Sequence, residues 1–349
     1  MKTKIIKIDK DNINSDLIID AVNIIKNSGL VAFPTETVYG LGANGFDENA
    51  AKKIFAAKGR PEDNPLILHV YSVEQVEELV EEIPDIAKKC MEEFWPGPLT
   101  ILLPKSDKVP NIITAGLDTV AIRMPENKIA LELIKMSNVP IAAPSANISG
   151  RPSPTSVKHV IDDLMDKVDM IVDGGETGVG LESTVLDLSG DLPMILRPGG
   201  VTKEDLQKII PNVTIDFAII KEDANIIPKS PGQKYRHYAP KSEMLVFSGD
   251  IDKITDAIMA KTKEYMAIGK RVGVICTDET KEIYKDGLII SMGSRRNNET
   301  IARNLFNTLR LFDEENVDII LAEGVEPSHL GIAIMNRMMK AAGGRIIKV

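Results

Sequence analysis

The chain has 349 residues, 43% of them hydrophobic, which is enough for a sizeable core and favours two domains over one. Its formal net charge of −9 argues against a general nucleic-acid-binding protein, since such proteins are usually basic, although it leaves room for a local basic pocket. Two distant cysteines, four histidines and no CxxC or HExxH spacing argue against a structural zinc site.

The first part of the chain, up to residue 211, alternates short apolar runs with amphipathic stretches. The apolar runs predict β-strands at 30–33, 66–70, 99–103, 119–124, 139–143, 170–172, 183–188 and 194–197. Stretches with apolar residues on one helical face predict α-helices at 16–27, 48–57, 73–80, 86–94, 127–137, 156–165 and 203–210. This alternation predicts an α/β fold with an open, mixed sheet whose polar loops gather at the strand ends.

A second α/β unit is predicted from residue 243 to 349. Strand-like runs at 244–247, 272–277, 288–292, 319–323 and 345–349 alternate with helical stretches at 251–266, 299–312 and 330–342, as in a small Rossmann-like domain. Residues 212–242 are predicted to form a linker, and its part KSPGQKYRHYAPK at 229–241 contains four Lys or Arg and no acid. Composition alone allows either a solvated spacer or a linker that closes over an anionic ligand.

The segment from residue 34 to 69 carries the strongest functional signal. PTETVYGLG at 34–42 is rich in hydroxyl groups and follows a predicted strand directly, and KGRP at 58–61 is followed by Asn64 and His69. Arginine forks onto phosphate oxygens and lysine acts as a point charge, so Lys58 and Arg60 suit a polyphosphate beside a small polar substrate. Taken alone, the same pair could be a solvated helix end, and His69 could be a hydrogen-bonded core residue.

A glycine pattern in this segment, Gly40-x-Gly42-x-x-Gly45, matches the dinucleotide-binding fingerprint. The functional form of that motif opens a helix directly after a strand. In this chain residues 35–39 separate the predicted strand from the first glycine, and residues 45–47 predict a turn with a helix N-cap. We therefore do not expect a dinucleotide site. The chain also lacks a GxxxxGK[ST] phosphate-binding loop and a GxSxG nucleophile elbow.

Further strand ends carry polar groups. Arg123 ends an apolar run, where arginine is costly to bury unless it is paired, and capture of a carboxylate is its best interpretation. The segment from Ala142 to Thr155 is a strand end that runs into a loop rich in hydroxyl groups. It suits phosphate or ribose, or it is an ordinary turn before the next helix. A glycine-rich turn precedes Ser183, and Arg197 ends the next strand. Without a Ser-His-Asp grouping or an acidic metal cage, this pattern indicates a site that orients reactants around phosphates.

Taken in order, these segments resemble the threonylcarbamoyl-AMP synthase family in its long, two-domain form. The resemblance covers nearly the whole chain and rests on PTETVYGLG, KGRPEDNPLILHV, FWPGPLTILL, TVAIRMP, PIAAPSANISGRPSPT, GLESTVLDL, ILRPGG, SPGQKYRHYAP and AIMNRMMKAAGGRI. It implies a YrdC-type catalytic α/β domain with a large concave pocket at 1–211, a linker over the active site at 212–242, and a Rossmann-like domain at 243–349.

The resemblance also implies the reaction and its partners. Such an enzyme makes threonylcarbamoyl-AMP and pyrophosphate from L-threonine, bicarbonate or CO2, and ATP, with Mg2+ accompanying the nucleotide. The product serves the N6-threonylcarbamoyl modification of adenosine 37 in tRNAs that read ANN codons. It would pass to the tRNA threonylcarbamoyl-transferase machinery, and direct contact with tRNA is expected to be weak at most.

Residue roles follow from the same resemblance. The residues expected to contact L-threonine are Thr35, His69, Arg123, Ala143 and Ser183. Those expected to contact ATP or the adenylate are Lys58, Arg60, Asn64, Thr119, Ser145, Asn147, Ser153, Arg197, Tyr235 and Tyr238. Lys58 and Arg60 are also expected to act in catalysis, and no metal ligand is assigned.

Two other functions stay open at this point. The first is a double-stranded RNA or tRNA binding protein, which salt-dependent tRNA binding without ATP would favour. The second is a carbamoyl-transfer relative of the hydrogenase-maturation type, against which the absence of cysteine-rich zinc segments argues. No apolar run of membrane-span length and no apolar leader are present, so the cytoplasm is the expected location.

Overall fold

The structure is a computed structural model that describes residues 2–13, 15–216 and 237–349. It divides into two compact units. Of the described residues, the first unit contains those up to 149 and from 153 to 216, and the second contains 150–152 and 237–349. Most of the basic segment of the predicted linker, including Tyr235, lies outside the described residues.

The first unit is built on an eleven-stranded mixed sheet. Its strands are β1 (Lys4–Lys7), β2 (Val31–Phe33), β3 (Gly40–Asn44), β4 (Ile67–His69), β5 (Leu99–Pro104), β6 (Thr119–Arg123), β7 (Ile141–Ala142), β8 (Met170–Asp173), β9 (Thr184–Asp187), β10 (Met194–Arg197) and β11 (Thr214–Ile215). They are hydrogen-bonded in the order β1-β8-β2-β3-β7-β4-β6-β5-β9-β10-β11. The predicted α/β fold with a mixed sheet is confirmed.

Helices connect these strands and cover the sheet. They are α1 (Ser15–Lys26), α2 (Glu48–Lys58), α3 (Val73–Glu77), α4 (Asp85–Phe94), α5 (Asn111–Thr114), α6 (Lys128–Ser137), α7 (Val157–Leu164) and α8 (Lys203–Gln207). Along β2, Ala32 joins one hydrophobic cluster while Val31 and Phe33 join another, as the alternation of side chains along a strand requires. Both faces of this part of the sheet are therefore buried, which explains its unbroken apolar runs.

The strand β3 was not predicted, because its sequence GLGAN is rich in glycine and glycine is depleted in strands. The glycines are needed for close packing. A Cβ atom on Gly42 would lie 2.7 Å from the Phe33 ring and 2.8 Å from Ile141. The predicted turn and N-cap after β3 are confirmed, since the Asp47 side chain accepts hydrogen bonds from the first N–H groups of α2. The short strands β1 and β11 were missed as well.

The second unit contains a five-stranded sheet in which every pairing is parallel. Its strands are β12 (Glu243–Ser248), β13 (Val272–Cys276), β14 (Leu288–Ser291), β15 (Ile319–Glu323) and β16 (Ile346–Lys348), in the order β14-β13-β15-β12-β16. Its helices are α9 (Ile251–Ala267), α10 (Asn298–Glu314) and α11 (Leu330–Ala341). The predicted Rossmann-like unit is confirmed.

Among all helices in the described part of the chain, none has the length and hydrophobicity of a membrane span.

Candidate active site

The sheet register places the predicted site residues at the two ends of β4 and β6. These strands run parallel, with His69 level with Arg123 and Ile67 level with Ala121. The antiparallel strand β7 lies on the other side of β4 and leads into the loop that carries Ser145 and Asn147. Polar groups that are far apart in sequence are therefore brought together at each end of this strand pair.

Arg123 is a buried cation at the end of β6, with only 4% of its side chain exposed. Its Nε donates to the carbonyl of Gly97 at 3.2 Å, its Nη1 to the hydroxyl of Thr37 at 2.9 Å, and its Nη2 to Oε1 of Glu36 at 2.5 Å. These contacts fix the plane of the guanidinium, and a fixed guanidinium fork suits a carboxylate ligand.

His69 lies beside Arg123 and is buried against the edge of the Phe33 ring, with the ring centroids 6.3 Å apart. Burial, together with the positive charge of Arg123, lowers the pKa of His69 from 6.5 to about 3. The imidazole is therefore neutral near pH 7 and can offer hydrogen bonds but no charge. Its Nδ1 is buried and has no hydrogen-bond partner among the described residues.

The turn after β2 brings two hydroxyl groups to the same end. The Thr35 hydroxyl donates to the carbonyl of Val38 at 2.6 Å and accepts from the N–H groups of Thr37 and Val38, each at 3.2 Å. The glycine-rich turn after β8 holds this segment in place, because the N–H of Val179 donates to the carbonyl of Glu36 at 2.8 Å. The turn is thus shaped by its own side chains and by a distant loop.

Lys58 is the last residue of α2 and is only 2% exposed. Its Nζ donates to the carbonyls of Ser145 and Asn147, the latter at 2.5 Å. A buried ammonium group is costly unless it is hydrogen-bonded, and these two carbonyls meet that need. The helix can stop here because Gly59 adopts a left-handed conformation, with φ of 60°.

The loop between Lys58 and β4 folds back on itself. The Arg60 guanidinium donates to the carbonyls of Asn64 at 3.3 Å and Pro65 at 3.0 Å. Asn64 is 2% exposed, and its Oδ1 is buried without a hydrogen-bond partner among the described residues. Across from this loop, the Ser145 hydroxyl donates to Oδ1 of Asn147 at 2.6 Å. Lys58, Ser145 and Asn147 therefore form one hydrogen-bonded group, and Arg60 and Asn64 form another in the loop that follows Lys58.

The remaining predicted residues cluster around Ser183. Its hydroxyl lies 2.7 Å from the hydroxyl of Thr100 and accepts from Nη2 of Arg197 at 3.1 Å. The Ser153 hydroxyl donates to Oε1 of Glu182 at 2.5 Å. Two residues that were assigned to ATP therefore lie in this group: Arg197 contacts Ser183, and Ser153 contacts Glu182, the residue before it.

Thr119 and Arg123 lie at opposite ends of β6, four residues or about 13 Å apart. The register puts Thr119 on the side of Asn64, because Ala121 is level with Ile67 at the start of β4. Ala143 extends β7 by donating its N–H to the carbonyl of Ile67 at 2.9 Å. Arg123 and His69 therefore mark one end of this strand pair, the Arg123 end, and Thr119 and the loop after Lys58 mark the other, the Lys58 end. The segment from Thr35 to Gly40 joins the two, because Thr37 contacts Arg123 while Gly40 bridges to Ser145.

Tyr238 is placed in the second unit, where 6% of its side chain is exposed. Its ring stacks on Phe306 with centroids 5.0 Å apart, and the Arg337 guanidinium lies 5.6 Å from its centroid. Its role toward ATP stays a prediction, as does that of Tyr235, which lies outside the described residues.

Sequence reasoning missed Glu36, Thr37, Thr100 and Glu182 as members of this polar network. Glu36 and Thr37 belong to the motif PTET, which did signal a site. A sequence pattern does not show which side chains of a turn face inward, and only the contacts with Arg123 decide it.

A cavity of about 550 Å3 borders the Lys58 end from the outside of α2. Its lining includes Leu30, Lys53, Lys167 and Asp169, and Lys58 is the lining residue that was predicted for the site. No group of three or more His, Cys, Asp or Glu side chains within residues 2–13, 15–216 and 237–349 is placed to hold a metal ion.

Comparison with known proteins gives consistent results for both units. Residues 23–199 match a family model described as "Telomere recombination", and residues 201–343 match "Threonylcarbamoyl-AMP synthase, C-terminal domain". The threonylcarbamoyl-AMP synthase of Pyrococcus abyssi is 53% identical over 331 residues, or 94% of this chain and 95% of that protein. The threonylcarbamoyl-AMP synthase of Bacillus subtilis is 48% identical over 341 residues, or 97% of each.

Solved structures agree with these matches. The crystal structure of P. abyssi Sua5 complexed with L-threonine has a TM-score of 0.95 and 52% identity, covering 99% of this chain and 100% of that one. The E. coli protein YciO has a TM-score of 0.53 and 27% identity, covering 56% of this chain and 96% of that one. The chain therefore belongs to the threonylcarbamoyl-AMP synthase family, in its two-domain form.

Proposed function

We propose that this protein is an L-threonylcarbamoyladenylate synthase. It forms threonylcarbamoyl-AMP and pyrophosphate from L-threonine, bicarbonate or CO2, and ATP, for the modification of adenosine 37 in tRNAs that read ANN codons. The observation that carries this proposal is the pair of buried cations, Arg123 and Lys58, in polar clusters at opposite ends of β4 and β6. One cation suits an amino-acid carboxylate and the other suits a triphosphate.

In this reaction the Arg123 end holds threonine. Its ammonium group first releases a proton to solvent, and the resulting amine adds to CO2 and releases a second proton, which leaves a carbamate anion. A carbamate oxygen then attacks the α-phosphorus of ATP, so that one P–O bond forms while the bond to pyrophosphate breaks. Arg123 would hold the carboxylate, and neutral His69 and Thr35 would offer hydrogen bonds without competing charge. No protein nucleophile is required, and the rate would come from positioning and from charge stabilisation.

The Lys58 end would hold the nucleotide. Lys58 and Arg60 lie next to the backbone turns at Asn64 and Asn147 and would stabilise negative charge that develops on the triphosphate. Ser153 and Arg197 lie beside Ser183 and would act where the two substrates meet.

Mg2+ enters the proposal as a companion of ATP. Magnesium is usually held by substrate phosphates, waters and one or two carboxylates, and the absence of a carboxylate cluster among the described residues fits that arrangement. When bound, it would offset charge on the departing pyrophosphate. Glu182, which is tied to Ser153, is the carboxylate we would test first as a contact.

The remaining partners follow from the same proposal. The product is a labile mixed anhydride, so it would pass to the tRNA threonylcarbamoyl-transferase machinery, with at most weak direct contact between this protein and tRNA. We place the reaction in the cytoplasm, where ATP, threonine and tRNA are together.

The direct test incubates the protein with ATP, Mg2+, bicarbonate and radiolabelled L-threonine. We expect pyrophosphate release that depends on threonine, together with a labile labelled adenylate. Pyrophosphate release at the same rate without threonine would overturn the proposal.

A further inference from the structure

Glu36 is a buried acidic residue for which the reaction described above has no role. Only 11% of its side chain is exposed. Its Oε1 accepts from Nη2 of Arg123 at 2.5 Å, and its Oε2 is buried without a hydrogen-bond partner among the described residues. One oxygen is therefore paired with a cation and the other is unsatisfied.

An unsatisfied buried acceptor is unfavourable, and a charged one more so. The nearby side-chain donors are already engaged. The Thr35 hydroxyl donates to the carbonyl of Val38, which leaves the Thr37 hydroxyl, 2.9 Å away, to donate to Thr35. Neither of these hydroxyl groups is therefore left to donate to Oε2, which stays open to a donor from a ligand.

The proposed substrate supplies such a donor. The ammonium and carboxylate groups of an amino acid are attached to one carbon atom, so a site that takes the carboxylate at Arg123 must accept the ammonium close by. Glu36 contacts Arg123 directly and carries the complementary charge. Its Oε1 accepts a hydrogen bond from the guanidinium of Arg123, as a substrate carboxylate would.

We propose that Glu36 receives the amino group of L-threonine and, without substrate, holds its place on Arg123. This inference rests on the proposed function. On binding, the substrate carboxylate takes the guanidinium and the Glu36 carboxylate turns to the ammonium. The contact selects an amino acid over the corresponding hydroxy acid. It also keeps the nitrogen in place until the ammonium has released a proton to solvent, after which the amine can attack CO2. Glu36 is thus a specificity residue at the Arg123 end.

The test compares two ligands and two variants by equilibrium binding to the full-length protein. The ligands are L-threonine and its analogue with a hydroxyl group in place of the amino group. Glu36→Gln keeps the side-chain size and an oxygen for Arg123 but removes the charge and the second acceptor. The control, Glu92→Gln, removes the same charge from an exposed position on α4.

We expect Glu36→Gln to weaken threonine binding at least about tenfold and analogue binding less than about threefold, because only threonine loses a charged hydrogen bond. Glu92→Gln should change neither. Equal loss for both ligands would show that Glu36 acts only by orienting Arg123 and would overturn the inference, as would no loss for either. If Glu36→Gln does not fold, Glu36→Asp replaces it. This variant is also expected to lose more affinity for threonine than for the analogue.

The two proposals fail in different ways. A wild-type protein that binds threonine through Glu36 but makes no threonylcarbamoyl-AMP overturns the proposed function and leaves this inference intact. A wild-type protein that makes the product while Glu36→Gln binds threonine normally overturns this inference alone. A wild-type protein that does not bind threonine overturns both.

Discussion

The two units each bury a carboxylate near the end of a strand, and they treat it differently. In the second unit Glu323 is fully buried, and both of its oxygens are hydrogen-bonded, Oε1 by Thr280 and Tyr284 and Oε2 by Thr277 and Arg295. In the first unit Glu36 has one paired oxygen and one without a partner among the described residues.

This difference separates two uses of buried polar groups. A carboxylate whose acceptors are all satisfied stabilises the fold and offers nothing to a ligand. A cluster with missing partners is unfavourable until a ligand supplies them, and Glu36, Asn64 and His69 each have such an atom among the described residues. Ser137 and Thr177 also have such an atom among the described residues, so an unsatisfied atom points to a ligand only where it adjoins a group suited to bind one, as Glu36 adjoins Arg123.

The largest effect is expected for Glu323→Gln. It removes the charge opposite Arg295 in a buried network, which should lower the free energy of unfolding by about 3 kcal/mol. Chemical denaturation measures this, with the exposed Glu326→Gln as control. Threonine affinity of the folded variant should not change. If Glu36→Gln destabilised the protein as much as Glu323→Gln does, the distinction between the two carboxylates would be wrong.

Loss of Lys58 should abolish most of the activity. Lys58→Ala is expected to lower threonine-dependent pyrophosphate release at least about 100-fold, because in the proposed function Lys58 stabilises the charge that develops on the triphosphate. Lys52→Ala, an exposed lysine on the same helix, is the matched control. A variant that folds normally and keeps more than a third of the activity would show that Lys58 serves only to join α2 to the loop at Ser145.

Arg123→Lys should raise the KM for threonine by about 30-fold, since the charge stays but the forked hydrogen bonding is lost. The KM for ATP should change by less than about threefold, because Arg123 lies at the other end of β6 from Thr119. Steady-state kinetics with each substrate varied in turn checks this. Equal changes in both constants would contradict the separation of the site into two ends.

The effect that is smallest per step of the measurement is the pH dependence of stability through His69, which builds up gradually over several pH units. The pKa of His69 is lowered from 6.5 to about 3 in the folded protein, so its contribution is present above about pH 6.5 and is lost as the pH falls toward 3. The free energy of unfolding of the wild type should fall by about 1 kcal/mol per pH unit more than that of His69→Gln in this window. Parallel pH profiles for the two proteins would show that His69 can be protonated in place.

Much of this molecule could be predicted from the sequence. The apolar periodicity located most helices and strands, as for β10 and β15, whose predicted bounds match those observed. Those patterns suffice because burial on one helical face or on both faces of a strand leaves a local signature. The ordered motifs were specific enough to identify the family before any contact was known.

The tertiary structure decided which of those residues meet. Glu36 and Arg123 are 87 residues apart in the chain, and their contact exists because the sheet order brings the turn after β2 near the end of β6. The glycine-rich β3 is a strand for a similar reason, since Gly42 must let Phe33 and Ile141 pack closely. Sequence patterns record local conformational preference and burial. Whether one polar group pairs with another depends on the register between distant strands, and no local pattern contains that information.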